Sequence, residues 1–254
     1  MKRAITLGLG ALALASMSLP SSAADLGARP VGKAPVIAPV ALYNWSGFYI
    51  GGHIGGVWGD KDWTDVTFPG LAFADGSSEI SGFLAGGQAG FNWQAGNFVF
   101  GIEGQVSWTN ADGAHLCLFN VGLTCETNLN WLGTVAGRIG YAFNNVLLYA
   151  KGGFAFANED YLQSVTGTGI VIALSEDETR TGWMVGAGVE YGFTPNWSFK
   201  VEYNYMDFGA DVSNLVIPGT GVIFTAADID QQMHVVKAGI NYRFNWGAPV
   251  VARY

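Results

Sequence analysis

Apolar and polar residues alternate along most of the chain after residue 44. This period of two is typical of β-strands with two different faces. Eight stretches carry the alternation, and turn-forming residues separate them. The predicted strands are Gly47–Gly59, Glu79–Trp93, Phe98–Trp108, Thr127–Phe143, Val146–Asn158, Thr179–Phe193, Trp197–Phe208 and Ile229–Phe244.

The connections between these strands alternate in length. Gln94–Asn97, Asn144–Asn145 and Thr194–Asn196 are tight turns with Asn, Gly or Pro at the bend. The connections near 60–78, 109–126, 159–178 and 209–228 are much longer. Eight strands joined in this way predict an antiparallel up-and-down barrel whose short turns all lie at one end.

The two faces of the predicted strands differ in residue size and charge. In the last strand, Val236, Ile240 and Phe244 share one face, and Lys237 and Arg243 share the other. A soluble, lipocalin-like barrel would turn the aromatic face inward, but eight strands enclose too little volume for so many large side chains. With the aromatics outward, the small residues fill the lumen and the aromatics face lipid.

Composition narrows the class of protein. Only 13% of the residues are charged, compared with about 25% in average soluble domains. No stretch of about 18 apolar residues follows residue 24, which excludes a helical membrane protein. The net charge of −8 argues against a nucleic-acid partner.

The first residues indicate export. Residues 1–23 have a basic start, an apolar segment and small residues before the expected cleavage site, which predicts a signal peptide. A Pro-rich linker (24–43), the barrel (44–244) and a C-terminal extension (245–254) follow. The prediction is an all-β, eight-stranded antiparallel up-and-down transmembrane β-barrel of the outer-membrane type, located in the cell outer membrane.

Charged residues in mid-strand positions predict a network inside the lumen. Because an isolated ion in so narrow a lumen is costly, these charges should pair. We expect the pairs Glu190–Lys200, Glu202–Lys237 and Glu103–Arg138. The network has two interpretations: an ion-selectivity filter, or a salt-bridge plug, which the small size of the barrel favours. Its predicted members are Glu103, Arg138, Lys151, Glu190, Lys200, Glu202, Lys237 and Arg243.

Two cysteines, Cys117 and Cys125, lie in the second long connection. An exported chain folds in an oxidising compartment, so a disulfide closing a short surface loop is expected. The alternative is a metal site, for which His115 is the nearby additional ligand.

Both ends of the chain resemble a known family. The stretch Asn44–Gly52, the Ala-Ala-Asp-Leu segment at 23–26 and the Tyr-Arg-Phe at 242–244 are similar to alphaproteobacterial outer-membrane β-barrel proteins. These include major surface antigens, rhizobial outer-membrane proteins and hemin-binding relatives. The resemblance implies outer-membrane lipid and lipopolysaccharide as surroundings, and raises hemin, with His115 or His234 as iron ligand. Asn245–Tyr254 departs from the family by continuing past the final aromatic residue.

The last strand also resembles the β-signal that the outer-membrane assembly machinery reads on a closing strand. The matching positions are Lys237, Gly239, Tyr242 and Phe244.

We expect a structural, surface-interacting protein that supports envelope integrity, contacts a host or ligand through its loops, and is not an enzyme. His234, with Asp228, Asp230 and Ser213, is the set of residues that a catalytic interpretation would use, but the sequence fixes no geometry for it. No cofactor or resident metal is predicted. The alternatives are a narrow porin and a hemin-binding surface receptor.

Overall fold

The computed structural model describes residues 43–68, 70–117 and 122–244, and within them the chain forms one closed barrel. Each strand pairs antiparallel with the next, and β8 closes on β1, as predicted. The strands are β1 Gly47–Asp65, β2 Phe73–Ala95, β3 Phe98–Leu116, β4 Leu123–Phe143, β5 Val146–Val165, β6 Val171–Gly192, β7 Trp197–Val216 and β8 Ile223–Phe244.

Three predicted segments fall outside these described residues: the signal peptide (1–23), the linker up to residue 42 and the extension 245–254. No helix among the described residues is long and apolar enough to cross a membrane.

The predicted long connections are mostly wrong, because the strands continue into them. β1 reaches Asp65 and β2 begins at Phe73, so most of the stretch 60–78 is paired strand. Irregular pairing hid this continuation. In β4, Leu132 and Ala136 point inward, but beyond a register shift between Leu129 and Trp131 the inward residues become Leu129 and Thr127. A shift of this kind exchanges the two faces and destroys a simple period of two.

The outward face carries an apolar belt next to the tight turns. In β1 the belt runs from Phe48 to Trp58, and in β3 from Phe98 to Trp108, each about the 9–11 residues that cross a bilayer in a tilted strand. Aromatic residues mark both edges of the belt. Beyond it acidic residues appear on the outward face, beginning with Asp60 in β1, together with exposed apolar residues such as Leu116 and Val212.

The interior is filled in layers. We name them in order from the tight-turn end. The aromatic base contains Trp45, Val99, Ala142, Leu147 and Tyr149, with Tyr43 against it. The lower polar layer contains the charges described below. The middle apolar layer includes Val57, Leu84, Leu132, Met184, Met206, Phe208, Met233 and Val235. The upper polar layer contains Lys61, Glu159, Arg180 and Gln231, and the upper apolar layer contains Trp63, Tyr161, Ala173, Leu215, Ala227 and Ile229.

Candidate functional site in the barrel lumen

The lower polar layer is a connected network of buried ions. Strand alternation turns every second residue of β3 to β8 inward, and glycines next to them leave room for the long side chains. Glu103 contacts Lys200 at 3.0 Å and Lys151 at 3.3 Å, and Glu202 contacts Lys151 at 2.8 Å and Lys200 at 3.1 Å. All of these side chains are almost completely shielded from solvent. The lumen therefore holds paired ions rather than free charges.

Neutral side chains complete the network. Tyr49 donates its hydroxyl to Glu103, and Tyr149 donates to Glu202, each at 2.9 Å. Gln105 donates to both Glu103 and Glu202, and its oxygen accepts from Lys237. These residues were not among the predicted members. The sequence did carry a signal for them: by strand alternation, Tyr49, Gln105 and Tyr149 fall on the inward face, opposite the large apolar residues of the same strands.

Two of the three predicted pairs lie within ion-pair distance. Lys237 Nζ is 3.4 Å from Glu202, and Arg138 is 3.7 Å from Glu103. The predicted pair Glu190–Lys200 is wrong. The two residues are register partners on β6 and β7, but Lys200 turns to Glu103 and Glu202.

Glu190 instead accepts from Arg138, Ser198 and Asn241. The Arg138 contact is 2.9 Å long and crosses the lumen from β4. Adjacent positions on neighbouring strands therefore did not predict the partner, because long side chains reach across a narrow barrel.

Arg243 does not belong to the ion network, which corrects another prediction. Within the described residues it forms no salt bridge. It donates to the backbone oxygen of Asn44, and its guanidinium lies over the rings of Tyr43 and Trp45, 4.9 and 4.7 Å from their centroids. Trp45 is fully buried and donates its indole N–H to the Asn144 backbone oxygen. These contacts close the tight-turn end of the barrel from inside.

A second, smaller ion site lies in the upper polar layer. Lys61 and Glu159 form a salt bridge with no solvent exposure, and Glu159 also accepts from Tyr161 and Gln231. Burial lowers the pKa of Lys61 to about 8, although Glu159 acts in the opposite direction. The sequence did not reveal this site, since both residues lay in stretches predicted as loops.

The three histidines lie in separate places. His53 faces the lumen, as predicted, and bonds to Gln88 and Ser107. His234 faces outward at the edge of the apolar belt, where Tyr203 contacts its Nδ1 at 2.7 Å and Trp58 stacks on it. His115 lies inside the rim against Trp63. His115 and His234 therefore lie on different faces of the barrel wall.

The catalytic constellation considered from the sequence is not assembled. Ser213 is buried inside the wall and donates to Glu178, whereas His234 is on the outer surface. Cys117 and Cys125 are joined in a disulfide across the ends of β3 and β4, with Cα atoms 5.6 Å apart.

The positions of the predicted assembly signal are occupied in two ways. Lys237 points into the lower polar layer. Gly239 faces the neighbouring strand β1 closely, because a Cβ at this position would lie 2.8 Å from the Gly52 backbone oxygen and 3.1 Å from the Cβ of His53. Tyr242 and Phe244 point outward and pack edge to face. Packing inside the barrel thus requires Lys237 and Gly239 whether or not the assembly machinery reads them. Recognition by that machinery stays a prediction.

Among the described residues, positive side-chain charge is restricted to the interior. Every Lys and Arg among the described residues is buried: Lys61, Arg138, Lys151, Arg180, Lys200, Lys237 and Arg243. On the part of the outer surface that the structure describes, the charged side chains that are exposed are all acidic: Asp60, Asp62, Glu79, Asp112, Asp177, Asp211 and Asp230.

Comparison with known proteins agrees with this architecture. The profile of the outer membrane protein beta-barrel domain family matches residues 9–244. This chain belongs to that family. The 31 kDa outer-membrane immunogenic protein of Brucella melitensis biotype 1 is 32% identical over 221 residues, covering 84% of this chain and 89% of the relative.

A second relative and a solved structure are also similar to this chain. The 25 kDa outer-membrane immunogenic protein of Brucella abortus biovar 1 is 30% identical over 230 residues, covering 89% of this chain and 93% of the relative. The outer membrane protein OprG of Pseudomonas aeruginosa has the same fold, with a TM-score of 0.52 at 16% identity over 79% of this chain and 97% of that one.

Membership of the outer-membrane barrel family orients the molecule. The apolar belt lies in the outer membrane, the tight turns are periplasmic, and the strand extensions stand on the extracellular side. The lower polar layer therefore lies at membrane depth, and the Cys117–Cys125 disulfide lies at the extracellular rim.

Proposed function

We propose that this outer-membrane barrel is a structural protein of the cell envelope, with a closed lumen and a rim that makes surface contacts. The observation that carries this proposal is the layered interior. Five packed layers follow one another from the aromatic base to the upper apolar layer, and the middle apolar layer is lined by Leu, Met, Phe and Val side chains. An ion crossing it would lose its hydration without gaining polar partners.

The same observation opposes the narrow-porin alternative. A selectivity filter requires charges that face a water path. Here Glu103 and Glu202 each have three cationic neighbours within ion-pair distance, and all of these groups are buried. The network serves as a plug that ties distant strands together across the lumen.

The proposed surface role rests on the strand extensions. They lift an acidic surface above the membrane, and lipopolysaccharide and a host or other extracellular ligand are the expected neighbours. Because the exposed side chains described there carry acidic charge only, the surface favours a cationic partner, or contacts bridged by divalent cations, over an anionic polymer.

Conductance in planar bilayers tests the closed lumen. We expect the folded wild-type protein to show no steady channel steps. Phe83→Ala, a change on the lipid-facing surface, should be equally silent and serves as the matched control. Large regular steps, with ion selectivity altered by Glu202→Gln, would reject the structural proposal in favour of a porin.

Complementation of a deletion strain separates the envelope role from the contact role. A variant in which each extension is shortened to a tight turn just above the belt keeps the membrane part. We expect it to restore resistance to detergent as well as the full-length chain does. Failure of the full-length chain itself to restore any resistance would refute the envelope role.

A further inference from the structure

Two of the extracellular tips are built from the same sequence in the same conformation. Residues 167–169 in the β5–β6 connection and 219–221 in the β7–β8 connection are both Gly-Thr-Gly, and three apolar residues follow each of them. In both tips the threonine N–H and hydroxyl donate to the backbone oxygen three residues earlier, Val165 at 3.0 and 3.1 Å and Ile217 at 3.1 and 2.9 Å. The glycines of both tips have positive φ, between 69° and 82°. The chain therefore builds one closed turn twice and attaches an apolar triplet to each.

The apolar residues of these tips are exposed. Ile170 and Val222, the first residue of each triplet, have 63% and 57% of their surface open to solvent. Two residues of the β1–β2 connection, Phe68 and Leu71, are exposed to a similar degree. We name the whole set the apolar crown: Phe68, Leu71, Ile170, Val171, Ile217, Val222, Ile223 and Phe224.

The three tips of the crown are neighbours around the mouth of the barrel. Val66 of the β1–β2 connection donates to the Ala226 oxygen of β8 at 2.8 Å, and Leu174 of β6 is the register partner of Val216 of β7. The exposed surface of the crown amounts to about 800 Å², which is about the area that each partner contributes to a standard protein–protein interface. An exposed apolar patch of this size marks an interaction site.

The residue types of the crown narrow the kind of partner. Residues 66–72, 166–172 and 217–224 contain no charged residue, no Trp and no Tyr. The same chain does place Trp58 and Tyr203 at the edge of the membrane belt, where amphipathic rings suit the lipid interface. A lipid surface is therefore a poor match for the crown, and a cationic peptide would find no carboxylate within it. The crown fits an uncharged apolar surface, and the crown of a second copy is such a surface.

An acidic collar lies at a constant spacing below the crown. Asp62, Asp177, Asp211 and Asp230 are exposed, and each is six residues along the chain from a crown residue. Six residues of a tilted strand correspond to about 15 Å of height. When two crowns meet, the collars are about 30 Å apart, several times the Debye length of about 8 Å at physiological ionic strength. Like charge therefore does not oppose contact between tips, whereas side-by-side packing of the extensions would bring the collars together.

We propose that the apolar crown binds the crown of a second copy of this chain that stands in an opposing outer membrane. The inference rests on the surface role proposed above and names a partner for the tip of the rim, while the collar below it stays open to cationic partners. Contact between two identical patches has two-fold symmetry and closes as a pair. The turn hydrogen bonds already order the tips, which lowers the entropic cost of association. Such pairs would link cells or vesicles that carry the protein.

Outer-membrane vesicles test this contact, because they keep the extracellular side outward. Vesicles are collected from a deletion strain with short lipopolysaccharide, with or without the full-length chain, and are labelled with donor or acceptor dyes. We expect energy transfer between the two labels only where both populations carry the chain. The transfer should persist in about 1 M salt, where the Debye length falls to about 3 Å and charge contacts are screened.

Two valines of similar exposure provide a variant and its matched control. Val222 lies in the crown, and Val212 lies on the outer face of β7 below it, with 57% and 51% of their surface exposed. Val222→Ser should lower the rate of vesicle association at least about fivefold, because it removes an apolar side chain from both crowns of a pair. Val212→Ser should leave the rate unchanged.

An exchange of charge shows whether two crowns meet each other. Vesicles with Val222→Lys and vesicles with Val222→Asp should each fail to associate among themselves, because equal charges then face each other. Mixing the two populations should restore association. Each variant is first shown to fold by the gel shift of the unheated barrel, and Ile170, the equivalent position on the other tip, replaces Val222 where a variant does not fold.

Several results would overturn the proposal. Wild-type vesicles that do not associate, that bind vesicles lacking the chain, or that separate in salt would each do so. An unchanged rate for Val222→Ser, or no association between the mixed Lys and Asp variants, would count equally against it. Detergent resistance of the same strains reports the envelope role separately, so absence of association with normal resistance would refute only the contact between crowns.

Discussion

Glu190 differs from the other lumen carboxylates in depending on one cation. Glu103 and Glu202 each lie near three cationic side chains, whereas the salt bridge of Glu190 is to Arg138 alone among the described residues. A shared network can redistribute when one member is lost, but a single pair cannot. At the residue scale, the most sensitive point of the plug is therefore the contact between β4 and β6 across the lumen.

Replacing Glu190 by Gln should destabilise the barrel. The change leaves Arg138 buried with only Glu103, 3.7 Å away, and breaking a buried pair typically costs about 3–5 kcal/mol. We expect a lower temperature of heat modification on gels. Glu79→Gln, on the exposed surface, should change stability by no more than about 0.5 kcal/mol.

A second substitution identifies the partner of Glu190. Adding Arg138→Met to Glu190→Gln removes the unpaired cation and should restore much of the lost stability. Adding Lys200→Met should not, because Lys200 is bound to Glu103 and Glu202. Recovery with Lys200→Met instead would contradict the observed pairing.

At the scale of the strand, each element serves two environments. Its lower part alternates large apolar residues outward with small or charged residues inward, and its upper part presents acidic residues to water. Register shifts lie beyond the belt, for example between Trp108 and Ala111 in β3 and between Asp207 and Gly209 in β7. Bulges increase local twist and are common at barrel rims. The lipid-facing part keeps regular pairing, because there an unpaired backbone group would have no water to bind.

Two adjacent glycines in β1 provide a test of the inward and outward faces. A Cβ on Gly51 would lie 2.3 Å from the Ile240 backbone oxygen and from the Asn241 side chain, whereas on Gly52 the nearest atom would be 3.7 Å away. Overpacking of this kind costs about 1–3 kcal/mol. Gly51→Ala should therefore unfold at lower urea concentration than wild type, and Gly52→Ala should not. Equal effects of the two changes would mean that β1 is not registered as described.

At the scale of the whole molecule, the barrel wall separates positive from negative side-chain charge. Cations fill the lumen, and the exposed charges on the described surface are acidic. Arg138, Lys151, Lys200 and Lys237 support the plug by pairing with Glu103, Glu190 and Glu202. The outer acidic charge opposes close approach of anionic surfaces. This separation also distinguishes the transmembrane barrel from a soluble, lipocalin-like barrel, in which the charged face would meet water.

Amine labelling measures whether the lysine side chains in the lumen are accessible to solvent. A membrane-impermeant, amine-reactive reagent applied to the folded protein in detergent should leave Lys61, Lys151, Lys200 and Lys237 unmodified, because all four are buried. The same lysines should react after heat unfolding, and mass spectrometry assigns the sites. Rapid labelling of Lys200 or Lys237 in the folded protein would show that the lumen admits water and small solutes.

The sequence by itself determined the number of strands, their antiparallel order, the tight turns and the direction of each face within the belt. It could do so because lipid imposes a strict rule: every outward residue must be apolar and every backbone group must pair, so regular alternation is visible in the sequence. The lumen positions of Glu103, Lys151 and Glu202 followed from the same alternation.

Only the tertiary structure decided the strand extensions, the partner of Glu190 and the role of Arg243. Above the membrane, water satisfies polar groups on the outer face, so acidic residues and bulges are tolerated and the alternation becomes irregular. Inside the lumen, side chains from strands that are not neighbours meet, as Arg138 of β4 meets Glu190 of β6. At the rim, Asp75 of β2 likewise approaches Cys125 of β4, with Oδ2 3.8 Å from Sγ. Such contacts depend on closure of the barrel, which brings together residues that no local pattern relates.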